Sequence, residues 1–289
     1  MHLAWGYFRD LYQDLLDPDD VHDRRRYLDG RRAAVADHLA ELEPLRRREP
    51  RRLPPDEDRR SRLEKLYALS RTSDYLLELS CPAGDPPAGS VDSGGVAGRR
   101  GYERRLEPAE LALHTDFLTG IGLVPFTHAG EFSPFHHEIF AVVRDDAATA
   151  VTIEDVLWPG FWFGDLLFSR AGVRVRAPRA LIDARVATTS TLYFTFRRQP
   201  RPVDDLSHGW GSNSQWRTAF PRFYDDEGGL HLNWDGEADL AGEPVPDGYP
   251  VDQRRELLLY RCFVRTDLPG DEGDRFPYRD RLTLTGRQG

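Results

Sequence analysis

Between positions 122 and 176 the chain is cut at short, nearly even intervals by Gly, Pro and Asp, which leaves no room for a long helix and forces short strands joined by tight turns. The run 139–143, Ile-Phe-Ala-Val-Val, is rich in residues that suit a pleated, half-buried surface and is closed by Asp145-Asp146. A second strand is predicted over 151–157, closed by Pro159-Gly160. A third is predicted over 171–175, opened by a turn around Gly164-Asp165. Everything else in the chain must pack around this set of strands.

The length of 289 residues is enough to bury a sizeable core and predicts two or three domains. With 39% hydrophobic and 30% charged residues, and no apolar run long enough to span a bilayer, the chain reads as cytoplasmic and not membrane-bound. The two cysteines, Cys81 and Cys262, have no Cys or His at ligand spacing, which argues against a disulfide framework and a zinc site. A net charge of −9 disfavours general nucleic-acid binding, because neutralising phosphates calls for a basic surface. The positive charge is nearly all Arg, with Lys65 the only lysine, as expected of a codon bias.

Upstream, apolar residues recur at helical spacing. Leu3, Tyr7, Leu11, Leu15 and Leu16 mark a first helix that ends at Asp17-Pro18. Leu28, Val35, Leu39 and Leu42 mark a second, broken by Pro44, Pro50, Pro54 and Pro55. Leu63, Leu66, Leu69, Leu76 and Leu77 make an apolar stripe on a third, over 61–79. The arginines at 46–48, 51–52 and 59–60 read as a solvated linker flank balanced by Glu49, Asp56, Glu57 and Asp58; the competing reading is a contact with RNA or an anionic partner. Residues 82–101 are a Gly/Pro-rich flexible loop. A helix over 106–118 follows, with Pro108 in its first turn and Gly120 and Gly122 as its stop. Beyond 178, strands are predicted over 186–196 and 230–234, with 252–261 helical and 262–266 strand as alternatives the pattern leaves open.

In order and spacing, Gly122, Gly130-Glu131-Phe132, Pro134, His137-Glu138, Asp145-Asp146, the strand 151–157, Gly160-Phe161, Gly164-Asp165 and the strand 171–175 resemble the β-domain, or head, of GrpE, the nucleotide exchange factor of the Hsp70 chaperones. The likeness covers residues 120–177; the helix, loop, helix and head order upstream is also that of GrpE. It implies a protein that wedges open the nucleotide cleft of an Hsp70 ATPase domain, works as a homodimer, and touches its partner through head residues such as Phe161, Trp162, Asp165 and Arg170. Where that family carries basic residues after the Gly-aromatic pair, this chain has Leu166 and Ser169, with Arg170 one step along.

Two further stretches invite chemistry. His136-His137-Glu138 suggests a metal or acid–base site, but neighbours on a strand point to opposite faces, so both imidazoles cannot serve one ion there. The stretch 207–218 is dense in aromatic and amide groups, a composition suited to binding. In it His208 could act as a base, Asn213 or Gln215 as an oxyanion donor and Arg217 as an anion clamp, with Trp210 and Trp216 as contact surface. The bland alternative is a turn locked by buried tryptophans. Asp204-Asp205 and Asp225-Asp226-Glu227 read as solvated turns.

The expected fold is therefore α+β: a helical region over 1–105, a helix and GrpE-like head over 106–178, and a β-containing extension over 179–289. The expected function is a non-enzymatic protein-interaction module, either an Hsp70 co-chaperone or a diverged scaffold, without cofactor or metal. The alternative is an enzyme or ligand-binding protein with its site at 208–217.

Overall fold

Leucines three, four and seven apart build the helical layer, because that spacing puts them on one face. The computed structural model describes residues 6–16, 23–50, 57–80, 107–182, 184, 222–242, 250–260 and 280–285. Helix α1 (Gly6–Leu16) buries Phe8, Leu11, Tyr12 and Leu15. Helix α2 (Arg24–Ala40) starts at Asp23, whose carboxylate accepts from the Arg26 N–H at 3.0 Å, and buries Leu28, Val35 and Leu39. A single 3-10 turn, Glu43–Leu45, then carries the chain on. Helix α3 (Glu57–Ser80) packs between α1 and α4 (Pro108–Gly120), so that more than its leucine stripe is covered. Even Ser70, Arg71, Thr72, Ser73 and Asp74 in its middle turns are buried. Local partners make this tolerable: the Ser70 hydroxyl donates to the Tyr67 carbonyl at 2.7 Å, Arg71 pairs with Asp74, and Ser73 Oγ meets His114 Nε2 at 3.0 Å.

After α4 the chain leaves the helix through Gly122, at φ +97°, and enters six short strands. These are β1 (Val124–Phe126), β2 (His137–Arg144), β3 (Thr152–Trp158), β4 (Gly160–Phe163), β5 (Leu166–Ser169) and β6 (Ala171–Ala177). The strands predicted over 139–143, 151–157 and 171–175 are β2, β3 and β6. They form a three-stranded sheet in the order β2-β6-β3, with β2 and β6 parallel and β3 antiparallel to β6. The turn at Gly164-Asp165 joins β4 to β5, with Gly164 at φ +63°. Gly160 does not belong to the predicted break at Pro159-Gly160, nor is Gly160-Phe161 the turn that the resemblance implies. Pro159 alone breaks the chain between sheets, and Gly160 opens β4 where the Phe126 ring and the Ala171 backbone leave no room for a Cβ.

The sheet that holds β1, β4 and β5 does not close at 178, where the GrpE-like head was expected to end. Strands β7 (Tyr224–Asp226), β8 (Gly229–Leu232), β9 (Ala238–Asp239) and β10 (Asp280–Leu284) continue it, giving the order β1-β4-β5-β7-β8-β10-β9. The step from β5 to β7 rests on Leu166 opposite Tyr224. Strand β8 ends short of the predicted 234 because Asn233 turns into the left-handed region at φ +45°. The stretch over 252–261 is helical, as α5 (Val251–Tyr260); the strands predicted over 186–196 and 262–266 lie outside the described residues. One core unites α1 to α4 with Ile139, Phe161, Leu166, Val173, Val175 and Tyr224, and a second, on the other face of the large sheet, holds Phe135, Phe223, Leu258 and Leu282. No helix among the described residues is long and apolar enough to cross a membrane.

The small sheet depends on one missing side chain. A Cβ on Gly172 in β6 would run into the indole of Trp158. Gly172→Ala is expected to lower stability by about 1–3 kcal/mol through overpacking, measured by urea unfolding, whereas the same change at Gly130, where a Cβ meets nothing, should leave it nearly unchanged.

Candidate functional site

Where the two sheets meet, aromatic and imidazole rings gather around His136. The ring lies 4.7 Å from His128, 4.8 Å from Phe135, 5.8 Å from Trp162 and 6.0 Å from Phe126. Its Nε2 is 3.7 Å from the Asp225 carboxylate. His136 lies in the turn before β2, and His137, the first residue of that strand, is buried. The Ser133 N–H donates to its Nδ1 at 2.9 Å, so Nε2 carries the hydrogen and donates to the His128 carbonyl, also at 2.9 Å. Burial pushes this imidazole below its ordinary value, with the His128 carbonyl working in the opposite direction. His137 is a neutral structural peg that holds the loop before β2. Among the described residues no three His, Cys, Asp or Glu side chains converge to hold a metal ion.

The head residues singled out from the sequence sit at this junction but do not form one outward face. Phe161 is fully buried, its ring set edge-on to His114 at 5.6 Å. Trp162 is half-buried, 5.1 Å from Phe126. Asp165 is half-buried and works through its backbone: its N–H donates to the Arg46 carbonyl at 2.7 Å and its carbonyl accepts from the Asp225 N–H at 2.9 Å. Arg170 is buried, donating from Nε to the carbonyls of Pro134 and Phe135, with its guanidinium over the Phe223 ring at 4.8 Å. His208, Trp210, Asn213, Gln215, Trp216 and Arg217 all lie outside the described residues.

The densest polar arrangement is one that residue patterns did not single out. Arg48, read as part of a solvated flank, is docked on the C-terminal strands. Its Nε donates to Asp226 Oδ2, its guanidinium lies 4.4 Å from the Trp234 ring centre, and its Nη1 is 3.3 Å from His231 Nδ1. Asp226, read as part of a solvated turn, also accepts from the Gly228 N–H and from His231 Nε2, both at 2.8 Å. His231 is buried, and its Nδ1 meets Thr283 Oγ1 at 2.9 Å. Next to it, Arg59, also in the Arg-rich stretch, is buried against Asp235, which Arg222 approaches at 3.3 Å. No signal in the sequence marked these residues, because nearly every basic residue of the chain is Arg, although a guanidinium does suit buried, multiply hydrogen-bonded pairing. Chemically, Asp226, His231 and Thr283 form a carboxylate–imidazole–hydroxyl relay, but Arg48 occupies the imidazole's second side, and the group's visible work is to fasten residues 48–49 to the sheet.

Burial works against ionising Asp226, yet the hydrogen bonds from His231 and Gly228 and the Arg48 charge outweigh it and hold the carboxyl below the usual range. A depressed carboxyl stabilises the fold above its unfolded value, and that contribution is lost as pH falls through its folded value. Wild type should therefore lose its advantage over Asp226→Asn below about pH 4. At neutral pH an Arg48→Met and Asp226→Asn double-mutant cycle should give a coupling of about 1–3 kcal/mol by denaturant unfolding; additivity would show the pair to be idle. For His137, whose imidazole is depressed, the unfolded chain binds more protons just below about pH 6.5, so stability falls as pH drops through that range. His137→Gln should flatten this slope.

Comparison with family models, with curated proteins and with solved structures finds no match to this chain.

Proposed function

We propose that this chain is a non-enzymatic, cytoplasmic protein-interaction module built on a GrpE-like head, and that the head serves as a scaffold rather than as a wedge for an Hsp70 ATPase domain. The observation that supports the scaffold reading is the burial of β5, all four residues of which are inside. Leu166 and Ser169, standing where the resembling family carries basic residues, are 0% and 7% exposed. Tyr224 of β7 pairs with Leu166, and the Leu167 N–H donates to the Phe223 carbonyl at 2.8 Å. The chain's own extension thus occupies the edge through which the head could otherwise meet a partner. Replacing charges by Leu and Ser fits an edge that has become interior, where an unpaired charge would be costly. Among the described residues, β1 remains the outer strand on the head's side of this sheet, with Val124 55% exposed.

Release of a fluorescent ADP analogue from the host's Hsp70, measured by stopped flow with and without the purified chain, tests the scaffold reading. A rate change below about twofold is expected, whereas an acceleration of about tenfold or more would restore the exchange function. A photo-crosslinking residue at position 124, introduced in the host, should capture a discrete protein adduct that the same residue at Ala148 does not; absence of any adduct specific to position 124 would count against a partner at the β1 edge.

A further inference from the structure

We infer that His231 is a proton-sensitive latch, fastening the segment of Arg48 and Glu49 to the C-terminal strands while neutral and releasing it on taking up a proton. This inference stands apart from the reading of the head, since it uses only the polar network on β7, β8 and β10.

The argument follows from which atoms can donate. The Asp226 carboxylate only accepts, so His231 Nε2, 2.8 Å away, carries a hydrogen in either charge state. The neutral ring therefore presents its lone pair at Nδ1, the atom on which Thr283 Oγ1 at 2.9 Å and Arg48 Nη1 at 3.3 Å converge. A further proton has only Nδ1 to occupy. Thr283 can adapt, because a hydroxyl turns from donor to acceptor. Arg48 cannot, because a guanidinium has no acceptor and keeps its charge. An N–H would then face an N–H, and two cations would share the single carboxylate of Asp226.

The surroundings sharpen the choice. The groups facing the ring are Arg48 from the segment after the 3-10 turn, Asp226 and Tyr224 from β7, Thr283 from β10 and Trp234 beyond β8, whose ring is 5.3 Å away. Arg281 of β10 lies 5.8 Å from the Trp234 ring centre and is taken up by Asp239 at 3.0 Å. Gly228 permits the close approach: a Cβ there would come within 3.1–3.3 Å of Asp226, Arg48 and His231. With Asp226 fixed as the acceptor at Nε2, the conflict at Nδ1 falls on Arg48. Its release would leave the 48–49 segment held by the bond from Trp234 Nε1 to the Glu49 carbonyl, 2.9 Å long. The same β7 and β8 strands carry Tyr224 against β5, which places the latch on the hairpin that covers the head's edge.

That indole N–H is the reporter. In the full chain, ¹H–¹⁵N spectra would follow the Trp234 indole, assigned through Trp234→Phe, together with the His231 ring, between about pH 7.5 and 5.5. The expected result is one proton step shared by both signals, with the protection of the indole N–H against exchange, taken relative to the unprotected rate at the same pH, about tenfold lower on the acid side. In His231→Gln the step should vanish and the indole keep its neutral-pH protection; in Arg48→Met the lowered protection should already be present at pH 7.5. A His231 ring that titrates without moving the Trp234 indole, a ring that does not titrate in this range, or a step surviving in His231→Gln would each overturn the latch. If His231→Gln fails to fold, the Arg48→Met comparison carries the test alone.

Discussion

Tyr224 is the residue on which the three parts of this chain converge. It sits opposite Leu166 of the head, its hydroxyl donates to the Leu45 carbonyl at 3.1 Å, and it is hydrogen-bonded to Arg59 at the start of α3. Burial pushes its phenol up to about 12, so it keeps its proton and remains a donor under any ordinary condition. Because the ring is fully buried and its one polar atom is satisfied, the β5–β7 step can lie in the core although it spans few residues. Remove that ring and the helical layer, the head and the extension would lose their common contact.

Around Tyr224 the chain uses charge where a simpler protein would use leucine. Arg59 pairs with Asp235, and Arg48 with Asp226, tying the start of α3 and the segment after the 3-10 turn to the C-terminal strands. Burying such pairs gains little over an apolar contact, because desolvation offsets most of the Coulomb attraction. What they add is register: an arginine displaced by one position would leave a buried carboxylate alone, which is far worse than a displaced leucine. The ion pairs on the outer side of the small sheet, Arg174 with Asp155 and Arg176 with Glu154, are exposed, and their contribution is correspondingly small.

This division explains what could be read from the residues alone. The helices and the strands β2, β3 and β6 follow from periodicity, which is local, and Gly164 and Pro108 stand where local backbone rules place them. The continuation of the head's sheet into the extension is not local. Nothing near Arg48 shows that it pairs with Asp226, 178 positions away, and a run of arginines beside acids has the composition of a solvated linker whether it is docked or free. Asp225-Asp226-Glu227 misleads for the same reason. Gly160 looks like a turn residue and is instead a close-approach residue, because glycine serves both ends. Of the candidate site, the burial of Phe161 and Arg170 depends on contacts with His114 of α4 and with Phe223, which a head considered alone does not contain.

Sealing β5 also settles how the exposed edges are managed. An open sheet edge is a template for unwanted pairing, and folds blunt it with proline, charge or shortness. Among the described residues the large sheet ends at β1, three residues with Pro125 in the middle, and at β9, two residues long. Strand β3 at one side of the small sheet exposes Thr152, Glu154 and Asp155. The apolar strand β5, Leu-Leu-Phe-Ser, has none of these protections, and left as an edge it would be the most adhesive strand of the head. Covering it from within the same chain, through the pairing of β5 with β7, removes that liability.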